Sequence, residues 1–465
     1  MTKRKNKGLL CFLLLSGLFS AAQDTSFLLT KDNFLGIVRS YHPVVKQAAL
    51  QVDRARAAFL QSKGQFDPAL QAAADRKSFD GKLYYSYINP QLTVPLWYGV
   101  DLKAGLEEVG GARVSPEATP GKTSYLGIKV PASGLLFDQR RAVISQARRL
   151  QQLSEAERLL AVNDVLYEGL AAYWNWVKEC QGYKVVSDAV RVNEERIRFV
   201  RTEFEQGARP AIDTTEALSQ LQQFYAQQND AWLSFQNAGL ELSNYLWLPE
   251  EQPLPWNPAI MPAAQELEVL QPAPMLDELL AQAKNHPKLQ GLVYKIGVQE
   301  TEQRIKKQSL LPKLAFNANL LGAGYRLPEK ISVPLLEKNY KIGLDVSLPL
   351  FFREARGAYQ AAKIKVRETV LEQKQQGLQV ENKVKTYYNE VLQLHKQVAL
   401  FTSMQQNHAR LLQGERIRFE AGESSLFLLN SRENKVLETG QKLIELKAKW
   451  HKSMAGLLWA AGQLR

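Results

Sequence analysis

Two stretches of this chain run about 70 residues without a proline, from Phe137 to Gly207 and from Phe352 to Gly422. Read as single helices, at about 1.5 Å per residue, each extends roughly 105 Å. A compact domain has no use for such a length, whereas a structure that bridges a wide aqueous compartment does. Within the second stretch Gly377, Val380, Val384, Tyr387, Val391, Leu394 and Val398 recur at alternating steps of three and four. That spacing is a packing seam of coiled-coil type and calls for a neighbouring helix along its length. Val162, Val165, Gly169, Ala172 and Trp176 repeat it in the first stretch, with small residues where backbones could approach. The other faces are rich in Gln, Lys, Glu and Arg, as suits helices wetted on one or two sides. Gly207 and Gly422 then supply the left-handed conformation that commonly ends a helix. Returning helices are expected from about Thr214 to Leu248 and from about Leu428 to Leu464.

The two stretches belong to a duplication. Ser40-Tyr41-His42-Pro43 returns as Lys284-Asn285-His286-Pro287, and Pro68-Ala69-Leu70 falls on Pro312-Lys313-Leu314 at the same shift of 244. Phe204-Glu205-Gln206-Gly207 returns as Phe419-Glu420-Ala421-Gly422, and Tyr173 falls on Tyr388, both at a shift of 215. The first half therefore carries 29 extra residues between Leu70 and Tyr173. Seven prolines between Pro249 and Pro274 mark a connector that cannot continue a helix. The expected organisation is a signal segment at 1–22, a first repeat at 23–248, a proline-rich connector at 249–275 and a second repeat at 276–465. Each half should open with a helix of about nine turns, begun by His-Pro and ended at Asp67-Pro68 or Leu311-Pro312.

Strands with a period of two follow that helix. Tyr340, Ile342, Leu344, Val346 and Leu348 alternate with Lys341, Gly343, Asp345 and Ser347, and Leu314, Phe316, Ala318 and Leu320 make the partner. Leu126, Ile128 and Val130 form the equivalent strand of the first half. Leu92, Val94 and Leu96 indicate an additional one within the 29 extra residues, which could be longer strands, an additional hairpin or a loop. A soluble sheet would need a cover for its apolar face; a barrel that is apolar outside and polar inside needs none. Tyr84, Tyr85, Trp97, Tyr98, Tyr125, Tyr340 and Phe351 sit where strand ends would place an interfacial girdle.

The N-terminus reads as a secretory signal: Lys3, Arg4, Lys5 and Lys7 precede an apolar run from Leu9 to Phe19, then Ser20-Ala21-Ala22. Beyond it Cys180 is the only cysteine, so no internal disulfide or cysteine-based metal site is expected. The formal charge of +12 falls to +8 without the signal, and the basic residues alternate with acidic ones, as in Arg191 to Glu205. That is a solvated helix surface rather than a nucleic-acid footprint. The five histidines are scattered, Gly322-Ala323-Gly324 lacks the rest of a nucleotide-binding turn, and neither a nucleophile elbow nor a P-loop occurs. Catalysis, metal and cofactor chemistry have no candidate residues.

The duplicated order, the His-Pro and Asp-Pro boundaries, the strand ending Ser347-Leu348-Pro349-Leu350-Phe351-Phe352, and the Arg-x-x-Phe-Glu-x-Gly turns at Arg201 to Gly207 and Arg416 to Gly422 resemble the TolC-like outer-membrane efflux protein family. The resemblance covers nearly all of the chain after the signal. It implies a mainly α fold with a transmembrane β-barrel part, in a homotrimer that gives four strands per protomer to a twelve-stranded barrel continued by a periplasmic α-helical tunnel. It further implies outer-membrane lipids around the barrel, and a belt built from the connector and the C-terminal residues. The function implied is a passive export duct of a tripartite efflux or type I secretion system. The turns would be tips where a periplasmic adaptor (membrane fusion) protein docks, at Gly207, Arg209, Gly422, Glu423 and Ser424, and links the duct to an inner-membrane transporter.

Acidic residues just after the tip glycines form entrance rings in such ducts, and Asp213 and Glu216 match them; Leu428 and Ser431 stand at the corresponding second-half positions. Asp213-Thr214-Thr215-Glu216 also reads as a capping box, as does Asn430 to Glu433. A soluble periplasmic adaptor or scaffold with long helical hairpins is the competing reading, but it should carry one hairpin rather than two and no amphipathic strand sets. A surface fibre would show more than two repeats.

Overall fold

The computed structural model describes residues 27–115, 118–132, 135, 137–325 and 338–464. The expected signal segment lies outside them. The first half contains strand β1 (Phe27–Leu29), helices α1 (Lys31–Tyr41) and α2 (Pro43–Lys63), strands β2 (Ala69–Phe79), β3 (Lys82–Pro95), β4 (Asp101–Gly110) and β5 (Gly121–Pro131), then helices α3 (Gln139–Glu205) and α4 (Ala211–Ser243). The connector carries β6 (Ile260–Pro262). The second half repeats the order with α5 (Leu276–Ala283), α6 (Pro287–Gln308), β7 (Lys313–Ala323), β8 (Tyr340–Ser347), α7 (Arg353–Glu420) and α8 (Leu426–Ala460).

The two proline-free stretches are single helices of 67 and 68 residues. Both seams are core: Val162, Val165, Ala172 and Trp176 are buried, as are Val380, Val384, Val391, Leu394 and Val398. The helices opened by His-Pro are shorter than expected, 21 and 22 residues, or about six turns each. Two causes shorten them. The backbone tightens into three-residue turns at Gly64–Phe66 and around Leu310–Leu311, and the residue before each proline is driven out of the helical region. In the first half His-Pro also ends α1, whose C-cap is His42, while His286 caps α6 by accepting the Lys288 N–H on Nδ1 at 3.2 Å.

The chain divides into two compact units, and each draws segments from both halves. The first contains residues 1–43, 165–273 and 387–456. Its core holds Phe34, Tyr173, Trp176, Phe235 and Leu242, all essentially inaccessible. The Tyr173 hydroxyl donates to the Leu29 carbonyl at 3.0 Å and to Glu266 at 2.8 Å, and Glu266 accepts the Lys31 N–H at the start of α1. A connector carboxylate thus satisfies a buried phenol and favours a helix N-terminus at once. Burial and the Glu266 charge both push the Tyr173 phenol far above its ordinary range. Trp256 of the connector lies edge-on to Trp176 and flat over Gly239, where a Cβ would sit 2.3 Å from the indole. Only glycine admits the ring there.

His451 stacks on Trp174 at 3.9 Å in the same unit and lies 3.3 Å from the Leu267 carbonyl. Burial lowers its pKa from 6.5 to about 4. The unfolded chain then binds a proton between those values that the folded chain refuses, so stability is complete above pH 6.5 and is lost as pH falls towards 4. The loss should be of the order of 3 kcal/mol. Denaturation midpoints at pH 7 and pH 4.5 test this, and His451→Gln should remove its share of the difference, leaving that of His42 and His286, whose pKa values burial also lowers.

The second unit, residues 44–164, 274–386 and 457–465, contains the main sheet. Its strand order is β2-β3-β4-β5-β7-β8, every pair antiparallel. Among the described residues this sheet has six strands, where the resemblance implies four barrel strands per protomer. The single extra strand expected from Leu92, Val94 and Leu96 is a pair, β3 and β4, with Leu96 already in the turn between them. The sheet has one apolar and one polar face. Ile342, Leu344 and Val346 on β8 are 55, 66 and 61% exposed, and Leu70, Leu92, Ile128 and Phe316 are exposed on the same face. A contiguous apolar surface of this kind calls for a nonaqueous neighbour.

The polar face is bonded across strands. Asn317 donates to Asp345 at 2.8 Å, and Asn319 lies over Gly127. Tyr125, which the girdle expectation placed at a strand end, lies mid-strand on this face. It is buried over Gly105 and donates towards Asn89 and Gln91 at 3.0 and 2.8 Å. Trp97, Tyr98 and Phe351 do sit exposed at strand ends, with the Arg141 and Arg353 guanidiniums over their rings. Among the described residues, no helix is long and apolar enough to cross a membrane.

Candidate functional site at the helical-hairpin turns

The turns α3–α4 and α7–α8 are built alike. Gly207 and Gly422 have φ of +73° and +77°. The N–H of Ala208 bonds Glu203 O at 2.8 Å and that of Gly207 bonds Phe204 O at 2.9 Å; Glu423 to Arg418 and Gly422 to Phe419 repeat the pattern at 2.8 and 3.1 Å. Each turn is a Schellman motif, which satisfies the last helical carbonyls and requires the left-handed residue glycine supplies.

Arg209 organises the first turn. Its guanidinium bonds Glu203, lies 3.4 Å from Asp213, and stacks 4.0 Å above the Phe419 ring of the second turn. At the second turn Arg418 donates to the Glu423 carbonyl, and Ser424 donates to the buried Glu415. Gly207, Gly422 and Glu423 are exposed, while Arg209 and Ser424 are half-buried.

The expected capping boxes are absent, because both returning helices start earlier. Pro210 is the N-cap of α4, leaving Asp213 inside the first turn, and the α8 start is capped by Ser425, whose hydroxyl accepts the Leu428 N–H. Asp213 instead forms an ion pair with Arg209, and Glu216 accepts from Asn430 at 3.3 Å. The two carboxylates therefore stand in different environments, one neutralised by a guanidinium and the other held by an amide.

Just above the turns lies a buried polar cluster that sequence reasoning missed. Arg196 of α3 and Glu433 of α8 form a two-pronged ion pair, one prong at 2.6 Å, with side chains only 8 and 9% exposed. Arg196 also donates to Asn193 and Asn430, both at 3.2 Å, and Asn193 donates to the Ala189 carbonyl. Arg416 stands 3.8 Å from Glu433, and Gln220 bonds Asn434 at 3.0 Å. Val190, Ile197, Val200, Leu221, Leu426 and Leu429, from the same helices, form one buried apolar cluster. The nearest sequence signal was Asn430 to Glu433, whose capping pattern fits, but whose residues point across to α3 and α4. This arrangement can lock four helix ends in one register; among the described residues it offers no group of three or more metal-ligating side chains.

Residues 281–463 match the model of the outer membrane efflux protein family. No curated protein sequence matches the chain. Solved structures share the fold. The Campylobacter jejuni CmeC outer membrane channel is 14% identical with a TM-score of 0.67, over 93% of this chain and 85% of that one. The open state of the Neisseria gonorrhoeae MtrE outer membrane channel is 14% identical with a TM-score of 0.68, over 96% and 94%. The Vibrio cholerae outer membrane protein VceC is 14% identical with a TM-score of 0.65, over 93% and 96%.

Proposed function

We propose that this chain, whose residues 281–463 belong to the outer membrane efflux protein family, is the outer-membrane channel of a tripartite efflux system. Its family and fold are those of channels rather than enzymes. The observation that carries the reading is the sheet with an exposed apolar face and a bonded polar face, followed in each half by a long helical hairpin. In a bilayer the apolar face meets lipid and the polar face water, so neither needs a cover. The soluble-adaptor reading leaves that apolar face in water and is not favoured.

On this reading the strands lie in the outer membrane and the hairpins extend into the periplasm. The partners are further copies of the chain, in a trimer, together with a periplasmic adaptor, an inner-membrane transporter and outer-membrane lipids. The division into a first repeat at 23–248, a connector at 249–275 and a second repeat at 276–465 belongs to the same proposal. So does adaptor docking at Gly207, Arg209, Gly422, Glu423 and Ser424. Exposed Phe204, Ile212, Ile417 and Phe427 around those turns support it, since scattered apolar side chains at polar tips suit a transient protein contact.

Asp213 and Glu216 are proposed as an entrance constriction. Asp213→Ala removes a negative charge and leaves the Arg209 guanidinium less compensated, so the cation-to-anion permeability ratio should fall. The protein, purified in detergent from the outer-membrane fraction and placed in a planar bilayer, should open discrete conducting steps. An unchanged ratio in the variant removes Asp213 from the constriction. A protein that fractionates in water without detergent overturns the channel reading itself.

A further inference from the structure

We propose that the β3–β4 hairpin is part of the membrane wall, so that a trimer of this chain closes an eighteen-stranded barrel, with β8 of each copy pairing with β2 of the next. The inference rests on the channel reading above and departs from the twelve strands that reading alone would imply.

Length is the first argument. A barrel strand needs about 9–11 residues to cross the hydrocarbon, and β3 and β4 have 14 and 10. Register is the second. Leu70, Leu92, Ala104, Leu126, Leu320 and Tyr340 face one another in a single row across all six strands. One step along, Thr93, Lys103, Gly127, Asn319 and Lys341 form a row on the opposite face. A one-residue slip in either β3 or β4 would have reversed its faces. The extra pair instead continues both faces of its neighbours from Leu92 to Val94 on β3 and from Leu102 to Leu106 on β4.

The hairpin is also tied into the wall at two levels. Tyr125 of β5 reaches across Gly105 of β4 to Asn89 and Gln91 of β3, so one side chain joins three strands on the polar face. At the turn between β3 and β4, the Tyr98 N–H donates to Asp138 at 3.0 Å, and Asp101 pairs with Arg140 at 2.7 Å. Asp138 also accepts the Arg140 and Arg141 N–H groups at the start of α3. The turn is therefore anchored at the end where the sheet passes into the long helix, which neither a loose flap nor an external loop would require.

Closure gives the oligomer. The sheet ends at β2 and β8. In hydrocarbon an open sheet edge is not viable, and six strands are fewer than the eight of the smallest single-chain barrels. Six antiparallel strands put β2 and β8 in opposite directions, so copies joined β8 to β2 keep both the antiparallel pattern and the apolar outer face around a ring. Barrel diameter grows roughly linearly with strand number, so three copies enclose a lumen about 1.5 times as wide as twelve strands would. Barrels of 16–18 strands leave an aqueous channel, which puts the limiting constriction elsewhere in the duct.

The test is single-cysteine labelling in full-length protein carrying Cys11→Ser and Cys180→Ser, reconstituted in lipid. Val94→Cys and Leu102→Cys report the apolar face of the extra pair, and Thr93→Cys and Lys103→Cys its polar face. Ile342→Cys and Lys341→Cys provide the same comparison on β8. A membrane-impermeant maleimide should label Thr93→Cys, Lys103→Cys and Lys341→Cys and fail on the other three, and light scattering of the unaltered protein should give three copies. Equal aqueous labelling of both faces of β3 and β4, with β8 still alternating, places the hairpin outside the wall and overturns the inference alone. A two-copy mass closes twelve strands and also overturns it. Loss of alternation on β8 as well would sink the channel reading beneath it.

Discussion

Glu433→Gln is expected to destabilise the helix ends near the turns by about 3–5 kcal/mol, because it leaves the Arg196 guanidinium buried without a counter-charge. Arg196 is 8% exposed in its side chain, and its other partners, Asn193 and Asn430, are neutral amides. Arg416, 3.8 Å from the Glu433 oxygen that Arg196 also contacts, would add like-charge repulsion once the carboxylate is gone. Hydrogen exchange over residues 186–200 and 426–437 should report the loss as faster opening. Arg196→Met with Glu433→Leu removes both charges and should recover most of the protection, since an apolar pair of similar volume commonly replaces a buried ion pair at little cost. If the double variant opens as fast as the single one, the ion pair is not what holds these helices in register. The distinction matters for a duct, because a cluster that links α3, α4 and α8 by charge can be released without unpacking the apolar cluster of the same helices.

The long helices, their seams and their terminal glycines were legible because each rests on a local rule: the absence of proline, a step of three and four, and one left-handed residue. Strands β5, β7 and β8 were legible because apolar and polar residues alternate without a break. Strand β2 was not, since Ala69, Ala72, Ala73 and Ala74 carry little β preference and no apolar contrast between faces. Its identity comes from eleven cross-strand pairs with β3, a nonlocal fact. Strand β4 alternates only over Leu102, Ala104 and Leu106 before the adjacent Glu107 and Glu108 break the period.

The turns illustrate the same limit. Gly207 and Gly422 were placed from sequence, yet the capping tetrads were misread by three to five residues, because Pro210 and Ser425 start the helices first. Arg196 carries no sequence signal at all. It is one of several arginines on a charged helix, and only packing of α3 against α8 distinguishes it from the exposed Arg191 and Arg198.

Ile342→Arg is expected to cost about 2–4 kcal/mol and to deplete the assembled protein in the outer membrane, whereas Lys341→Arg one position earlier should leave it unchanged. Ile342 lies in the apolar-face row that joins Leu102, Ile128 and Ala318, opposite the central residue of β7, so in a barrel its side chain meets lipid. Lys341 stands on the polar face opposite Asn319, where exchanging one cation for another changes little. In a water-soluble protein the expectation reverses. An isoleucine that is 55% exposed would be a surface position, where substitution shifts stability by no more than about 0.5 kcal/mol and an arginine improves solubility. Urea unfolding in lipid vesicles, together with the recovery of each variant from the outer-membrane fraction, separates the two cases. A large cost at Ile342 with none at Lys341 requires a hydrocarbon neighbour on one face of the sheet and water on the other, and only a closed wall in a membrane supplies both.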